Sequence, residues 1–576
     1  MNILGFSSFI DNSGAALVQD GKLVAAAEEE KFVRRRYTGE FPINAMLYCL
    51  EAGGIAIEDV DHVGFFFRPW VGMHKRLAQI VRALPDSLHY YGTRGGAWFN
   101  LVKAAAHTRN VFRRMGRRPR FNFHYVNHHL AHAASAFFVS PFDDAAILVL
   151  DGSGEIACTS FFKGEGNRIR KLDQVDFPHS MGYLYASMSH YLGFRPGKDE
   201  GKVMGLTSYG DPGVYGKEFE KIVVLGEAGR VTLDLSYFDY PRNGVNPHDA
   251  GLDWVSGKFV RAFGPPRRPH DAIEKRHEDI SAALQAALEK AALHISRHLR
   301  KAAGSKRLCI AGGVGLNSVM NGAILRDGLF DEIFIQPASG DNGAGLGAAF
   351  EIWHETLGQP RGFVMTDAYT GPSYTDAEME EALRKFGRAY TRPADIAREC
   401  ATFIADGKIV AWFQGRLEFG PRALGNRSIL VDPRRAEMKD ILNLKVKHRE
   451  PFRPFAPAIL EERCGEYFDS AHPSPFMLLV YNVRPEKRGV IPAVTHVDGT
   501  GRVQTVGRGQ NPVYHRLIEE FGRITGVPVV LNTSFNDKGE PIVCTPGDAL
   551  SFFVKSQIDY LAMGPFLAKN PATADA

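Results

Sequence analysis

The chain has 576 residues, of which 44% are hydrophobic and 23% charged, with a net charge of +4. That length predicts two or three domains with ample core material, and so small a charge excess gives no ground for a nucleic-acid partner. Six scattered cysteines without a CxxC, no positive leader segment and no apolar run of roughly 18 residues predict a cytoplasmic protein with free thiols.

Residues 1–30 predict two strands around a turn, with a second turn at Asp20-Gly21. The stretch "HYVNHHLAHAASAFF" (124–138) predicts a small-residue helix that Asn127 can cap and Pro141 ends. On it His128 and His132 share a face at i and i+4, while His129 points elsewhere. This spacing suits two metal ligands, although alone it also fits a histidine-rich surface helix. Residues 145–162 repeat the opening outline: a buried strand, then Asp-Gly-Ser-Gly, then another strand. Asp151 ends that first strand, where a carboxylate is costly unless paired or ligated.

Farther on, a helix over about 278–303 leads into the strand "KRLCIAGG", a glycine turn and the helix "SVMNGAIL". Asp341 then follows, in the Gly-rich turn of "QPASGDNGAGLGAAF". Two hairpins with Gly-rich tips and a later strand–GG–helix turn suggest a two-lobed nucleotide-binding α/β fold. His128, His132, Asp151 and Asp341 make a mixed N/O set that favours Fe(II), Mn(II) or Zn(II) with open positions.

The Gly- and Pro-rich, aperiodic stretch 358–373 marks a domain boundary, giving domains 1–362 and 370–576. Beyond it the pattern predicts helices over 376–387 and 395–406 and strands in "KIVAWF", "PVVLNTSFN" and "PIVC". The stretches 414–428 and 444–460 set Arg416, Arg422, Arg427, Lys445, Lys447, Arg449 and Arg453 among glycines and prolines. Arg502 and the turn Asn532-Thr533-Ser534 come later. Solvated helical faces would space their charges regularly; these flank turns and interrupt apolar stretches, as a pocket for a small tetrahedral dianion would.

Five blocks, "NHHLAHAASAFF", "LVLDGSGE", "GKVMGLTSYG", "AGGVGLNSVMNG" and "SGDNGAGLGAA", together resemble the carbamoyltransferases of the NodU/CmcH family, in the same order. The second half resembles them too, so the likeness spans nearly the whole chain. It implies an N-terminal two-lobed ASKHA (actin/Hsp70-like, tRNA-threonylcarbamoyltransferase-like) domain and a C-terminal YrdC-like α/β domain. It further implies that His128, His132, Asp151 and Asp341 bind Fe(II) beside ATP. Gly152, Ser153, Gly154, Lys202, Gly312, Gly313, Asn317 and Asn342 match the positions around the nucleotide. For carbamoyl phosphate in the second half, the matching positions are Arg416, Arg422, Lys447, Arg453, Arg502, Asn532 and Ser534. The activity implied is ATP-dependent transfer of a carbamoyl group, through carbamoyl-adenylate, to a hydroxyl of a small molecule such as an antibiotic or a sugar.

One position departs from the family pattern. Where relatives carry a His-Asp pair before the second strand, this chain reads "IDNSGAAL", with Asp11 and Asn12 and no histidine. The base that deprotonates the acceptor then falls to Asp11, to another carboxylate such as Glu28, or to the metal environment. Arg36 stands where a lysine is expected, preserving charge but not geometry.

Between Asp86 and Asp143 there is no acidic residue, while Arg94, Lys103, Arg109, Arg113, Arg114, Arg117, Arg118 and Arg120 are interleaved with Trp98, Phe99 and Phe112. A solvated helical hairpin accounts for this segment, as does an anionic or lipidic acceptor or an anionic membrane surface. A tRNA-modifying transferase and a non-catalytic nucleotide-binding scaffold are competing readings. The sequence leaves a homodimer open.

Overall fold

The computed structural model describes residues 1–82, 84, 98–243 and 254–570. They form two compact units, one of the described residues within 1–29 and 37–365, the other of 30–36 and 366–570.

The first unit holds two five-stranded sheets. One is made of β1 (Asn2–Ser7), β2 (Gly14–Gln19), β3 (Lys22–Glu28), β4 (His62–Phe65) and β5 (Asn122–Tyr125), in the order β3-β2-β1-β4-β5. The other is made of β6 (Asp144–Leu150), β7 (Ala157–Glu165), β8 (Arg168–Asp176), β11 (Arg307–Ala311) and β12 (Glu332–Ile335), in the order β8-β7-β6-β11-β12. A small hairpin of β9 (Val223–Leu225) and β10 (Val231–Leu233) intervenes. In both sheets three antiparallel strands lead to two parallel ones reached by crossovers. The sheets therefore match strand for strand: the chain runs twice through one topology, the duplicated architecture of the ASKHA fold. The opening residues give three strands, since the turn at Asp20-Gly21 leads into β3.

The central strand β6 is almost wholly buried, as its unbroken apolar run requires. The helix Asp341–Glu351 reads "DNGAGLGAAFE", and its glycines set how closely its neighbours approach. A Cβ on Gly345 would strike the backbone of Phe6 in β1, and one on Gly347 the carbonyl of Ala131 in the helix His128–Phe137. The small residues thus bring two helices into contact at backbone distance. The long helix Lys275–Ala303 buries Ile280, Leu284, Leu288, Ile295 and Leu299 on one stripe.

The second unit is built on a nine-stranded mixed sheet. Its strands are β13 (Tyr390–Thr391), β14 (Val410–Phe413), β15 (Arg427–Val431), β16 (Ala456–Leu460), β17 (Leu479–Asn482), β18 (Thr500–Val506), β19 (Val529–Ser534), β20 (Tyr560–Met563) and β21 (Phe566–Lys569). They run in the order β13-β21-β20-β14-β15-β19-β16-β18-β17. The helices Ile396–Ala405 and Pro512–Thr525 cover it with Cys400, Ile404, Leu517, Ile518 and Phe521, against Trp412, Leu430, Ala458 and Val530. The expected strand at "PIVC" is absent: residues 541–544 are irregular. Val543 makes one backbone bond to Phe535, but the next amide turns to the Asp548 carboxylate, which caps the following helix.

The boundary after Met365 falls inside the aperiodic stretch, but residues 30–36 belong to the second unit. Phe32 packs on Leu417, Ala423, Ile542 and Cys544. Arg34 donates to the carbonyls of Pro541 and Ile542 at 2.8 and 2.7 Å. Among the described residues no helix is long and apolar enough to cross a membrane.

Candidate functional site

In the first unit four side chains converge from three elements. Asn127 caps the helix His128–Phe137 through the Leu130 N–H, as helix-start chemistry predicts. Glu155 fixes the same end: one oxygen accepts from the His128 N–H at 2.8 Å, the other from the Asn127 amide at 2.7 Å. Asp151 follows β6, and Asp341 opens the helix after β12. His128 Nε2 lies 3.0 Å from Asp151 and 3.6 Å from Asp341, while His132 Nε2 lies 3.9 and 3.5 Å from them. The two Nε2 atoms are 3.2 Å apart.

Donors bound at about 2.1 Å to one divalent ion sit roughly 3.0–3.5 Å from one another; these four, three buried and Asp341 half-buried, lie within 4.8 Å of one another and come close to that spacing. Burial opposes charge on His128, yet Asp341 and Asp151 push its pKa up to about 9. Asp151 is held well below the usual carboxylate range by His128 and His132, against its own burial. The Nδ1 atoms of both histidines are buried without a partner among the described residues, which leaves Nε2 as the polar end of each ring. His129 turns away to Ser160, at 2.8 Å.

Around this centre, the Gly313 N–H donates to Asp151 at 3.0 Å. Gly312 has φ +90, and a side chain there would meet the Leu150 carbonyl, so glycine is required. A Cβ on Gly154 would press on the rings of His128 and His129. Ser153 meets the Tyr183 hydroxyl at 3.1 Å. Asn317 caps the helix Ser318–Arg326 and exchanges amide bonds with Gln285. Asn342 donates to Glu28 at 2.7 Å, which ties that carboxylate to the residue after Asp341. Lys202 pairs with Asp199 at 3.4 Å.

Asp11 lies in the electrostatic reach of Glu200, whose carboxyl is pushed up to about 7, by burial above all and then by Asp199 and Asp11. Between the ordinary value of 4.5 and about 7, the folded chain keeps a proton that the unfolded chain has lost. This contribution to stability is therefore complete below about pH 4.5 and is lost as pH rises through 7. Glu200→Gln is expected to match the parent near pH 4.5 and to exceed its stability at pH 8 by on the order of 2 kcal/mol. Thermal denaturation at both pH values checks this, and identical melting at pH 8 would mean that Glu200 ionises normally.

In the second unit, Arg422, Arg449, Arg453 and Arg502 crowd together. Burial and then Arg422, Arg449 and Arg453 hold Arg502 well below the usual arginine range. Burial and then Arg453 push Arg449 down to about 9, with Glu450 opposing. Lys447 is depressed by burial and then by Arg449, Arg453 and Arg36. These arginines are half-buried, and a cluster of like charges drawn partly out of water is unfavourable by itself and is relieved by an anion. Lys447 donates to the Ser534 carbonyl and to both oxygens of Asn536 at 2.8–2.9 Å, so its three N–H bonds are already engaged. Ser534 also donates to Asn536, at 2.6 Å. Asn532 spends its amide hydrogens on Ala423 and Gln504, leaving its buried Oδ1 without a partner among the described residues.

Within 414–428 the structure separates two kinds of residue. Glu418 accepts the backbone N–H groups of Leu424, Asn426 and Arg427. Arg427 is fully buried over Phe413 and bonds to backbone carbonyls, while Arg416 donates to the carbonyls of Thr370 and Gly371. These residues shape the loop that carries Arg422.

Residues 2–350 match the family model "Carbamoyltransferase N-terminus", and residues 401–570 match "Carbamoyltransferase C-terminus". The chain belongs to the carbamoyltransferase family. A curated relative, "Nodulation protein NolNO" of Sinorhizobium fredii, is 39% identical over 98% of this chain and 80% of its own length. The uncharacterized protein sll1178 of Synechocystis is 40% identical over 99% of this chain and 97% of its own. Among solved structures, component A of the Acidaminococcus fermentans (R)-2-hydroxyglutaryl-CoA dehydratase covers 61% of this chain and 96% of its own, with 13% identity and a TM-score of 0.31.

Within this carbamoyltransferase, His128, His132, Asp151 and Asp341 meet in the first unit. Arg36, Arg422, Lys447, Arg453 and Arg502 share the second, while Asp11 and Glu28 remain in the first. Glu155 and Glu200 are functional-site residues that the sequence patterns do not mark, and Arg449, one of the basic residues of 444–460, has no match among the carbamoyl phosphate positions that the family likeness implies. The Glu155 signal was at hand, in the last residue of "DGSGE"; Glu200 and Arg449 needed the fold.

Proposed function

We propose that this transferase is an ATP-dependent O-carbamoyltransferase acting on a hydroxyl of a small-molecule acceptor, with carbamoyl phosphate as donor. The observation that carries the donor assignment is the half-buried cluster of Arg422, Arg449, Arg453 and Arg502, whose mutual repulsion a small dianion relieves. The buried Oδ1 of Asn532, without a hydrogen-bond partner among the described residues and next to the strand end that holds Ser534, would suit a carbamoyl N–H donor.

In this reading water attacks the phosphorus of carbamoyl phosphate, the P–O bond to the carbamate oxygen breaks, and the guanidinium groups hold the inorganic phosphate and stabilise the charge that grows on it. The carbamate oxygen then bonds to the α-phosphorus of ATP and pyrophosphate leaves, giving carbamoyl-adenylate. The acceptor oxygen attacks the carbamoyl carbon, its proton passes to a base, and AMP departs. For ATP the supporting features are the turns Gly152–Gly154 and Gly312–Gly313 at the carboxyl ends of β6 and β11, and the capped helix start at Asn317. His128, His132, Asp151 and Asp341 would hold a divalent ion, Fe(II) by family likeness, which supplies Lewis acidity to phosphate and carbonyl oxygens. Asp11 is the base in this scheme, with Glu200 beside it; Glu28 is engaged by Asn342.

Incubation of the purified protein with ATP and carbamoyl phosphate, followed by mass spectrometry, should yield AMP heavier by one HNCO. If protein that binds both ligands gives no such nucleotide, the adenylate route is wrong.

A further inference from the structure

The helix Met73–Arg82 is mounted inside out. Lys75 reaches the Asp176 carboxylate at 2.6 Å, Gln79 donates to the Phe177 carbonyl at 2.7 Å, and Arg76 donates to the carbonyls of Gly154 and Glu155. These three residues occupy one side of the helix. On the other side Met73, Leu77 and Val81 are 39%, 55% and 65% exposed, and Trp70 and Leu84 extend the stripe at 52% and 50%. An amphipathic helix in a water-soluble body normally buries its apolar side.

The stripe continues onto a second segment. Trp98 Nε1 lies 3.4 Å from the Pro69 carbonyl, next to Trp70, and Phe99 and Val102 beyond it are also exposed. An apolar surface of this extent marks an interaction site. Its charge is one-sided: from 62 to 142 the sequence holds twelve lysines and arginines and one acid, Asp86. Asp86 and Arg94 lie outside the described residues. Arg82, Lys103, Arg113, Arg114, Arg117, Arg118 and Arg120 are exposed, and the Lys103 ammonium sits 5.6 Å from the Phe99 ring centre.

We propose that this face docks on an anionic lipid bilayer. Trp, Phe, Leu and Met on one side of a short helix, in a stretch whose charges are cations but for one acid, with Asp176 and Glu58 engaged by Lys75 and the Arg118 N–H, is the composition of helices that lie in a membrane interface. The surface of a protein partner more often calls for a mixed rim of both charges. Arg76 fastens the helix to the turn after Asp151, so docking would bring the His/Asp centre of the same unit close to the bilayer.

The test is co-sedimentation of the full chain with vesicles of phosphatidylcholine alone and of phosphatidylcholine mixed equally with phosphatidylglycerol, at low salt. At least about fivefold more protein should pellet with the anionic vesicles, and added salt should reverse this. Leu77→Ser/Val81→Ser should lose that binding with an unchanged melting temperature, because neither side chain packs in the core. Arg113→Glu/Arg114→Glu should lose it as well. Failure of the parent chain to bind anionic vesicles overturns the proposal. So does undiminished binding by Leu77→Ser/Val81→Ser, or light scattering that shows this variant splitting a dimer while vesicles remain unbound, which would assign the face to a second copy.

Discussion

His132→Ala should leave the first unit folded but unable to retain a divalent ion, and carbamoyl-adenylate formation should fall by about three orders of magnitude, or 4 kcal/mol. The expectation rests on the compactness of the set: four donors from three elements lie within 4.8 Å of one another, and no further His, Cys, Asp or Glu joins the group among the described residues. Removing one imidazole leaves a single nitrogen on that helix. His129→Ala is the control, because His129 turns away to Ser160 and should keep its metal. Metal analysis of both purified variants, beside the nucleotide assay, separates the two outcomes. Equal metal content in His132→Ala and the parent would remove the centre from the reaction.

The second large effect has two opposite signs. Arg502→Ala should raise KM for carbamoyl phosphate by about 10- to 100-fold, the loss of one charge-assisted pair of hydrogen bonds. In the absence of any anion, the same variant should melt higher than the parent, because it removes one of four half-buried cations that repel one another. Inorganic phosphate should raise the melting temperature of the parent and do little for Arg502→Ala. Arg502→Lys would restore charge but not the planar fork, so it should recover only part of the affinity. A parent chain indifferent to both phosphate and carbamoyl phosphate would sink the donor assignment.

Much of the first unit could be read locally. An i, i+4 histidine pair after a capping asparagine, a carboxylate ending an apolar strand and an aspartate before a glycine helix are short-range patterns, and the fold brings these four residues together. The expectation for "PIVC" failed because apolar β-prone residues do not show whether a neighbouring strand will accept their amides. Arg416 and Arg427 look like Arg422 in sequence; only the fold shows that they serve backbone carbonyls. The helix Met73–Arg82 defeats pattern reading for another reason. Its apolar stripe predicts an inward face, but three polar side chains anchored to Asp176 and to main-chain oxygens turn it over.

The excursion of residues 30–36 bears on how this polypeptide can be cut. The backbone passes from one unit to the other after Glu29, returns after Arg36 and leaves again after Met365. A fragment beginning at Thr366 would therefore lack Phe32 from its core and Arg34 from the carbonyls of 541 and 542, leaving an apolar hole and unpaired main-chain oxygens. The two halves are spliced rather than strung, so a cut before Thr366 does not release the second half with its packing intact.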